Sequence, residues 1–387
     1  MSNHMSKRLL AAAAAIAGTT LLLAACEFPS METEQVGYRG TGMEEVKNPR
    51  REAEKRDRLQ APEPLPPTQP GGGRAGDVYE NVQVVGDLSI TEFNRLMTAM
   101  TEWVSPEQGC NYCHIPDNLA SDDIYTKVVS RRMMEMTKHI NDNWSDHVGD
   151  TGVTCYTCHA GQPVPEYVWF KDDGPPQAGG GMAASRAGQN IASASVGYSS
   201  LPRDPFSAFF VDEPESIRVI PTTALPDGTN PRNIMDTEKT YGLMMHFSDS
   251  LGVNCTYCHN SRSFIGWESS PPARENAWHG IQMVRDLNVD YLVPLEPVYP
   301  ESQLGPHHRD APKTNCQTCH QGANQPLYGV SMLADYPELD MIRIRDNGVP
   351  DVTRDELAAP ADEPEGAGED PEQMFDDLPG EGPDGGN

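Results

Sequence analysis

Cys110-Asn111-Tyr112-Cys113-His114, Cys155-Tyr156-Thr157-Cys158-His159, Cys255-Thr256-Tyr257-Cys258-His259 and Cys316-Gln317-Thr318-Cys319-His320 are four copies of one pattern, C-x-x-C-H, in a chain of 387 residues with nine Cys and 11 His. Two thiols two residues apart can add to the two vinyl groups of one porphyrin, and the adjacent His can then ligate its iron. The pattern is therefore the attachment signature of c-type haem. Chance at this composition gives about 0.006 such motifs, so four are a strong signal. A zinc centre would close on two C-x-x-C arms and has no need of His after every arm. A thioredoxin-type redox pair would not recur four times. Cys110, Cys113, Cys155, Cys158, Cys255, Cys258, Cys316 and Cys319 are read as attachment sites for four covalent haem c groups with their Fe. His114, His159, His259 and His320 are the proximal ligands, and no disulfide is needed.

The rest of the composition fits a core built around a cofactor. Only 37% of the residues are hydrophobic, with 34 Gly and 34 Pro, which is low for a chain packed by side chains alone. The formal net charge is -28. Such a charge argues against a nucleic-acid partner, whose phosphates a binder must neutralise, and favours a cationic one. Residues 81–350 carry 33 acids against 18 bases, and residues 351–387 carry 13 acids against Arg354 alone. The tail from 346 onward, acidic and rich in Pro and Gly, cannot bury enough apolar surface to fold and reads as disordered.

The ninth cysteine, Cys26, has its own context. Lys7-Arg8 is followed by an apolar run from Leu9 to Ala25 and then by Leu23-Ala24-Ala25-Cys26. A basic start, an apolar run and small residues make a secretory signal over 1–25. Its ending is similar to a bacterial lipobox, in which the Cys becomes the lipidated first residue. An uncleaved signal anchor is the alternative. Either way the chain is exported and tethered at the periplasmic face of the bacterial inner membrane, where c-type haem is attached. Residues 26–78 then read as a lipid-anchored, extended arm. Val82-Gln83-Val84-Val85 is a short strand candidate.

The remainder divides into two halves, 79–171 and 201–345, across a Gly- and Ala-rich linker at 172–200. Leu96-Met97 before the first motif parallels Leu243-Met244 before the third. Met136-Thr137-Lys138-His139-Ile140-Asn141 parallels Met283-Val284-Arg285-Asp286-Leu287-Asn288 at an offset of 147. The expected fold is mainly α with extensive loops, a multihaem cytochrome c built from two pseudo-repeated halves, each with two helix–turn–C-x-x-C-H units. Periodicity places helices at about 91–104, 121–144, 236–251 and 273–290.

Each helix can deliver a sixth iron ligand, and a Met thioether raises the potential relative to a second His. Met97 lies 17 residues before His114, Met244 lies 15 before His259, and Met133 lies 26 before His159. With 17 Met in the chain, most are core filler, and Met100, Met134, Met136 and Met245 sit beside these choices. The fourth unit breaks the pattern: Gly280 stands where Met133 would, so that haem must borrow a ligand. Spacing leaves His139, His147, His246, His279, His307 and His308 all open.

The chain resembles the tetrahaem cytochrome subunit of purple-bacterial photosynthetic reaction centres. The resemblance rests on Met97-Thr98-Ala99 with Thr101-Glu102-Trp103-Val104-Ser105-Pro106, Arg131-Arg132-Met133, Thr151-Gly152-Val153-Thr154 before the second motif, Ser248-Asp249-Ser250-Leu251-Gly252, and Asp335-Tyr336-Pro337-Glu338-Leu339. It implies Met97, Met133 and Met244 as distal ligands of the first three haems and His147 as that of the fourth. It implies an electron-transfer subunit, not an enzyme, that carries electrons from a soluble donor to the photo-oxidised bacteriochlorophyll pair in the L and M subunits. A small c-type cytochrome or a high-potential iron–sulfur protein would be that donor, and docking by charge would weaken as salt rises. The rival readings are a multihaem enzyme, which needs an iron with an open position, and a free-standing periplasmic carrier.

Overall fold

The long helices follow apolar stripes in the sequence, and the helix over Ile90–Val104 adds a side-chain cap at Ser89. The computed structural model describes residues 30–40, 42–173, 193–212, 217–219 and 234–340, all within one compact unit, Met1–Met341. Cys26 with its signal segment, most of the 172–200 linker and the acidic tail lie outside the described residues. The described chain is mostly helix and loop. Its one sheet is a small antiparallel pair, β1 (Glu32–Gln35) with β2 (Glu44–Lys47), Glu32 opposite Lys47.

Helix α1 (Pro49–Arg58) follows β2, with Asn48 accepting from the amides of Arg50 and Arg51. Helix α2 (Ile90–Val104) opens on a capping box: Ser89 N donates to Glu92 Oε2 at 3.1 Å and Glu92 N to Ser89 Oγ at 3.4 Å. Leu96, Ala99 and Trp103 fall on one face at spacings of three and four and are buried. Helix α3 (Tyr125–Asn143), α4 (Cys155–His159), α5 (Ile234–Leu251), α6 (Ala273–Asp286) and α7 (Cys316–His320) complete the set. The helix expected to 290 ends as α at Asp286 and continues as a wider π turn over Leu287–Leu292.

Two expectations are corrected. Val82–Val85 forms no strand. Its backbone enters a turn, with Leu88 N donating to Val85 O and Gly76 N to Gly86 O, and Val85 is buried as a core residue rather than paired. The segment 26–78 is not extended throughout where it is described, since it holds the β1–β2 hairpin and α1. It also lies on the body of the chain. Buried Glu45 accepts from Asn254 N, Lys55 and Arg58 donate to the Gly322 and Gln321 carbonyls, and Arg95 donates to Leu65 O and Pro66 O. Those contacts place the arm across the third and fourth motifs and then against α2.

Residues 147 apart meet in space. His139 Nε2 on α3 lies 2.6 Å from Asp286 Oδ2 on α6. Beside them Ile140 and Leu287 share an apolar cluster with Val153 and Met283, and Met136 packs against it. A second cluster joins Trp169, Phe206, Phe209 and Phe210 to Leu243 and Val284. The segment Asp335–Leu339 closes back on α2: Tyr336 packs edge-on against Trp103 with ring centroids 4.5 Å apart, and the Arg95 guanidinium lies 4.0 Å from the Tyr336 ring centre.

Candidate haem sites

The third residue of each motif decides its local shape. In Cys155-Tyr156-Thr157-Cys158 and Cys316-Gln317-Thr318-Cys319 the Thr hydroxyl reaches back to the cap. Thr157 Oγ1 accepts from Thr154 N and Thr318 Oγ1 from Asn315 N, both at 3.0 Å. These motifs wind into α4 and α7, which end at left-handed Ala160 and Gln321. The first and third motifs carry Tyr at that place, which cannot make this bond, and both form short 3-10 turns.

The proximal imidazoles follow the same pairing. His114 Nδ1 lies 2.9 Å from Leu119 O and His259 Nδ1 3.0 Å from Phe264 O, each five residues on. His159 Nδ1 meets Gln162 O at 2.9 Å and His320 Nδ1 meets Ala323 O at 3.0 Å, each three residues on. A carbonyl only accepts, so Nδ1 carries the proton and Nε2 is left as the ligating atom. Burial pulls His159 and His259 below the ordinary imidazole value and takes His320 to about 4, with His147 adding to it. All three are neutral imidazoles, the form that binds iron.

Burial likewise pushes the thiols up, Cys155 and Cys258 to about 11 and Cys316 to about 12. Among the described residues no three His, Cys, Asp or Glu side chains are arranged to hold a metal ion. A porphyrin removes that need, because it supplies four ligands itself.

One sulfur pair departs from the sequence reading. Cys158 and Cys319 are joined as a disulfide with Cα atoms 4.4 Å apart, where eight haem-attachment cysteines and no disulfide are expected. A sulfur in that bond is not available to a vinyl group, so the two states exclude each other. The bond also establishes that the second and fourth motifs abut. The other six motif cysteines are free.

Met97 and Met133 lie on helices that reach their motifs, whereas the helix of Met244 packs chiefly on the fourth motif. Thr101 Oγ1 donates to Met97 O one turn back and lies 3.8 Å from Cys110 Sγ. Thr137 Oγ1 donates to Met133 O, and Thr137 also hydrogen-bonds the Cys155 thiol. Met244 is half-buried against the Trp169–Phe210 cluster.

The borrowed His has a sharper geometry. His147 and His320 face each other with ring centroids 6.1 Å apart. Two imidazoles on opposite sides of one metal, at bonds of about 2.0–2.1 Å, place their centroids about 6 Å apart. His147 Nδ1 lies 3.0 Å from Asn276 O, which again leaves Nε2 free. A Cβ on Gly280 would stand 2.7 Å from His147 Cε1. The glycine that lacks a ligand is also what makes room for the ring. Of the other candidates, His139 has both nitrogens engaged, by Asp286 and by Asn143. His308 Nε2 is held by Asp173. His246 is buried near His320, but its nitrogens face Ser250 Oγ at 3.0 and 3.3 Å.

Sequence reasoning missed two buried asparagines. Asn141 Nδ2 donates to Val153 O and Asn141 Oδ1 accepts from Val153 N, at 3.0 and 2.8 Å. Asn288 makes the same pair of bonds with Thr314, at 3.0 and 2.8 Å. Each fixes the backbone two residues before a motif cysteine. The 147-residue offset held the signal, since it aligns the two positions.

Two cysteines beside an oriented imidazole, repeated along a helical chain, are what a c-type cytochrome requires, and covalent haem c with its iron is the group that these residues suit. The chain belongs to the photosynthetic reaction centre cytochrome c subunit family, which matches residues 27–340. It is 52% identical to the photosynthetic reaction center cytochrome c subunit of Rubrivivax gelatinosus over 318 residues, covering 82% of this chain and 86% of that one. Identity with the subunit of the same name from Thermochromatium tepidum is 50% over 326 residues, covering 84% and 79%. With that of Roseobacter denitrificans it is 43% over 324 residues, covering 79% and 84%. The chain is thus an electron-transfer subunit of a membrane-associated reaction centre. No helix among the described residues is long and apolar enough to cross a membrane.

Proposed function

We propose that the chain holds four haems and relays electrons from a soluble periplasmic donor to the photo-oxidised bacteriochlorophyll pair of the L and M subunits. The recurrence of C-x-x-C-H four times carries this reading. When bound, haem supplies a one-electron Fe(III)/Fe(II) couple. The protein's part is to fix each iron, set its potential through the axial ligands and surroundings, and keep water away.

The eight motif cysteines form the thioethers, Cys158 and Cys319 included. His114, His159, His259 and His320 would hold the irons as proximal ligands, and Met97, Met133, Met244 and His147 would supply the second ligands. The last assignment is supported by the 6.1 Å spacing of His147 and His320, and a second imidazole gives that centre a lower potential than a Met would. The two pseudo-repeated halves are supported by the contacts between residues 147 apart and by the matching asparagine clamps. The abutting second and fourth motifs form the central pair of the relay. The acidic surface favours a basic donor, a small c-type cytochrome, and lipidation at Cys26 tethers the chain to the periplasmic face.

The test is a haem count with a peptide map. Four haems per chain, all low-spin, with haem on both cysteines of every motif, are expected. A Cys158–Cys319 linked peptide in the mature protein, or a count below four, contradicts the proposal.

A further inference from the structure

We infer that Lys127 is a positioning residue for the first haem: its ammonium shares the Leu119 carbonyl with the proximal His114 and so raises the reduction potential of that centre.

Leu119 O takes the His114 Nδ1 proton at 2.9 Å, and Lys127 Nζ donates to the same oxygen. Lys127 sits in the first turn of α3 and is only 7% exposed. The charges around it are few. Asp122 Oδ1 is 3.8 Å from Lys127 Nζ but 2.7 Å from the Arg131 guanidinium, so its closer commitment is to Arg131. Within this group two cations face one carboxylate, and the close partner of the Lys127 ammonium is the Leu119 carbonyl that His114 also uses.

The direction of the effect follows from elementary chemistry. A carbonyl that accepts from the outer nitrogen of a ligating imidazole makes that imidazole a stronger donor to the metal, which favours the ferric state. An ammonium drawing on the same oxygen weakens this push. Its positive charge, held where water cannot screen it, also disfavours the extra positive charge of ferric iron. Both effects favour the reduced state.

The position 147 residues on is Arg274, which provides an internal comparison. Arg274 donates to Gly266 O at 2.9 Å and Ile265 O at 3.4 Å, while His259 uses Phe264 O. Both halves therefore place a cation beside the loop that follows the motif, buried at Lys127 and half-buried at Arg274. Arg274 reaches the next two carbonyls, and Lys127 reaches the histidine's own.

This inference rests on the reading of Met97 and His114 as the axial pair, and the test separates the two. Redox titration of the purified reaction-centre complex is carried out on Met97→His, Lys127→Met and Lys127→Arg. Met97→His identifies the first-haem component by shifting it. In Lys127→Met the reduced-to-oxidised ratio of that same component, at fixed ambient potential, is expected to fall about tenfold, or about 59 mV for a one-electron couple. Lys127→Arg, which keeps the charge, is expected to recover most of it. Should Lys127→Met fail to assemble, Lys127→Gln serves as the neutral variant. No shift in that component, an equal shift in all components, or a shift in a different one overturns the inference. A Met97→His variant that moves no component overturns the ligand reading instead.

Discussion

At the scale of single residues, the decisive position is a glycine. Gly280 aligns with Met133, and with no side chain there the proposed fourth iron would take its ligand from elsewhere. Spacing does not say which imidazole, because His147 comes from the one-turn helix Ser145–Val148 of the other half and six histidines satisfy the spacing equally; only the family resemblance pointed to His147. Only the fold brings His147 to 6.1 Å from His320 and engages His139 and His308 with carboxylates. Gly280→Ala would put a methyl 2.7 Å from the His147 ring. Overpacking of this kind costs about 1–3 kcal/mol, and the ring is the atom group that must move. The expected result is loss of the bis-imidazole low-spin signal in electron paramagnetic resonance, with a high-spin signal in its place. A spectrum like that of the parent would count against His147 as ligand.

At the scale of elements, the sequence placed all four long helices within a few residues, because an apolar stripe is a local property. Ser89 and Glu92 define the start of α2 without help from the rest of the chain. The Val82–Val85 strand failed for the opposite reason: a strand needs a partner, and β-branched residues packed into a core read the same in sequence. The motif shapes were legible in principle from Thr or Tyr at the third position. The asparagine clamps were legible only as an alignment at the 147-residue offset, since a polar residue within a helix does not reveal its backbone partner. Asn141 and Asn288 each satisfy a buried amide and a buried carbonyl. Leaving each such group unpaired costs about 1–3 kcal/mol. Asn141→Ala and Asn288→Ala are therefore each expected to destabilise by about 2–6 kcal/mol in denaturant unfolding, by similar amounts. A loss confined to one of them would argue against equivalent roles in the two halves.

At the scale of the whole molecule, His139 meeting Asp286 and Ile140 meeting Leu287 turn a weak sequence repeat into a physical contact between halves. The arm lies back over the third and fourth motifs through Glu45, Lys55 and Arg58. That course was illegible, because carbonyls at Gln321 and Gly322 leave no trace in sequence. The formal charge of -28 was legible from the start, and it gives the molecule a field that draws basic donors and weakens with salt. Membership of the reaction-centre family then fixes the direction of electron flow as the central claim. Flash spectroscopy on membranes carrying this chain tests it most directly. A single flash is expected to oxidise a haem of this subunit as the bacteriochlorophyll pair is re-reduced, with matching kinetics. Re-reduction of the pair without any haem oxidation would contradict it.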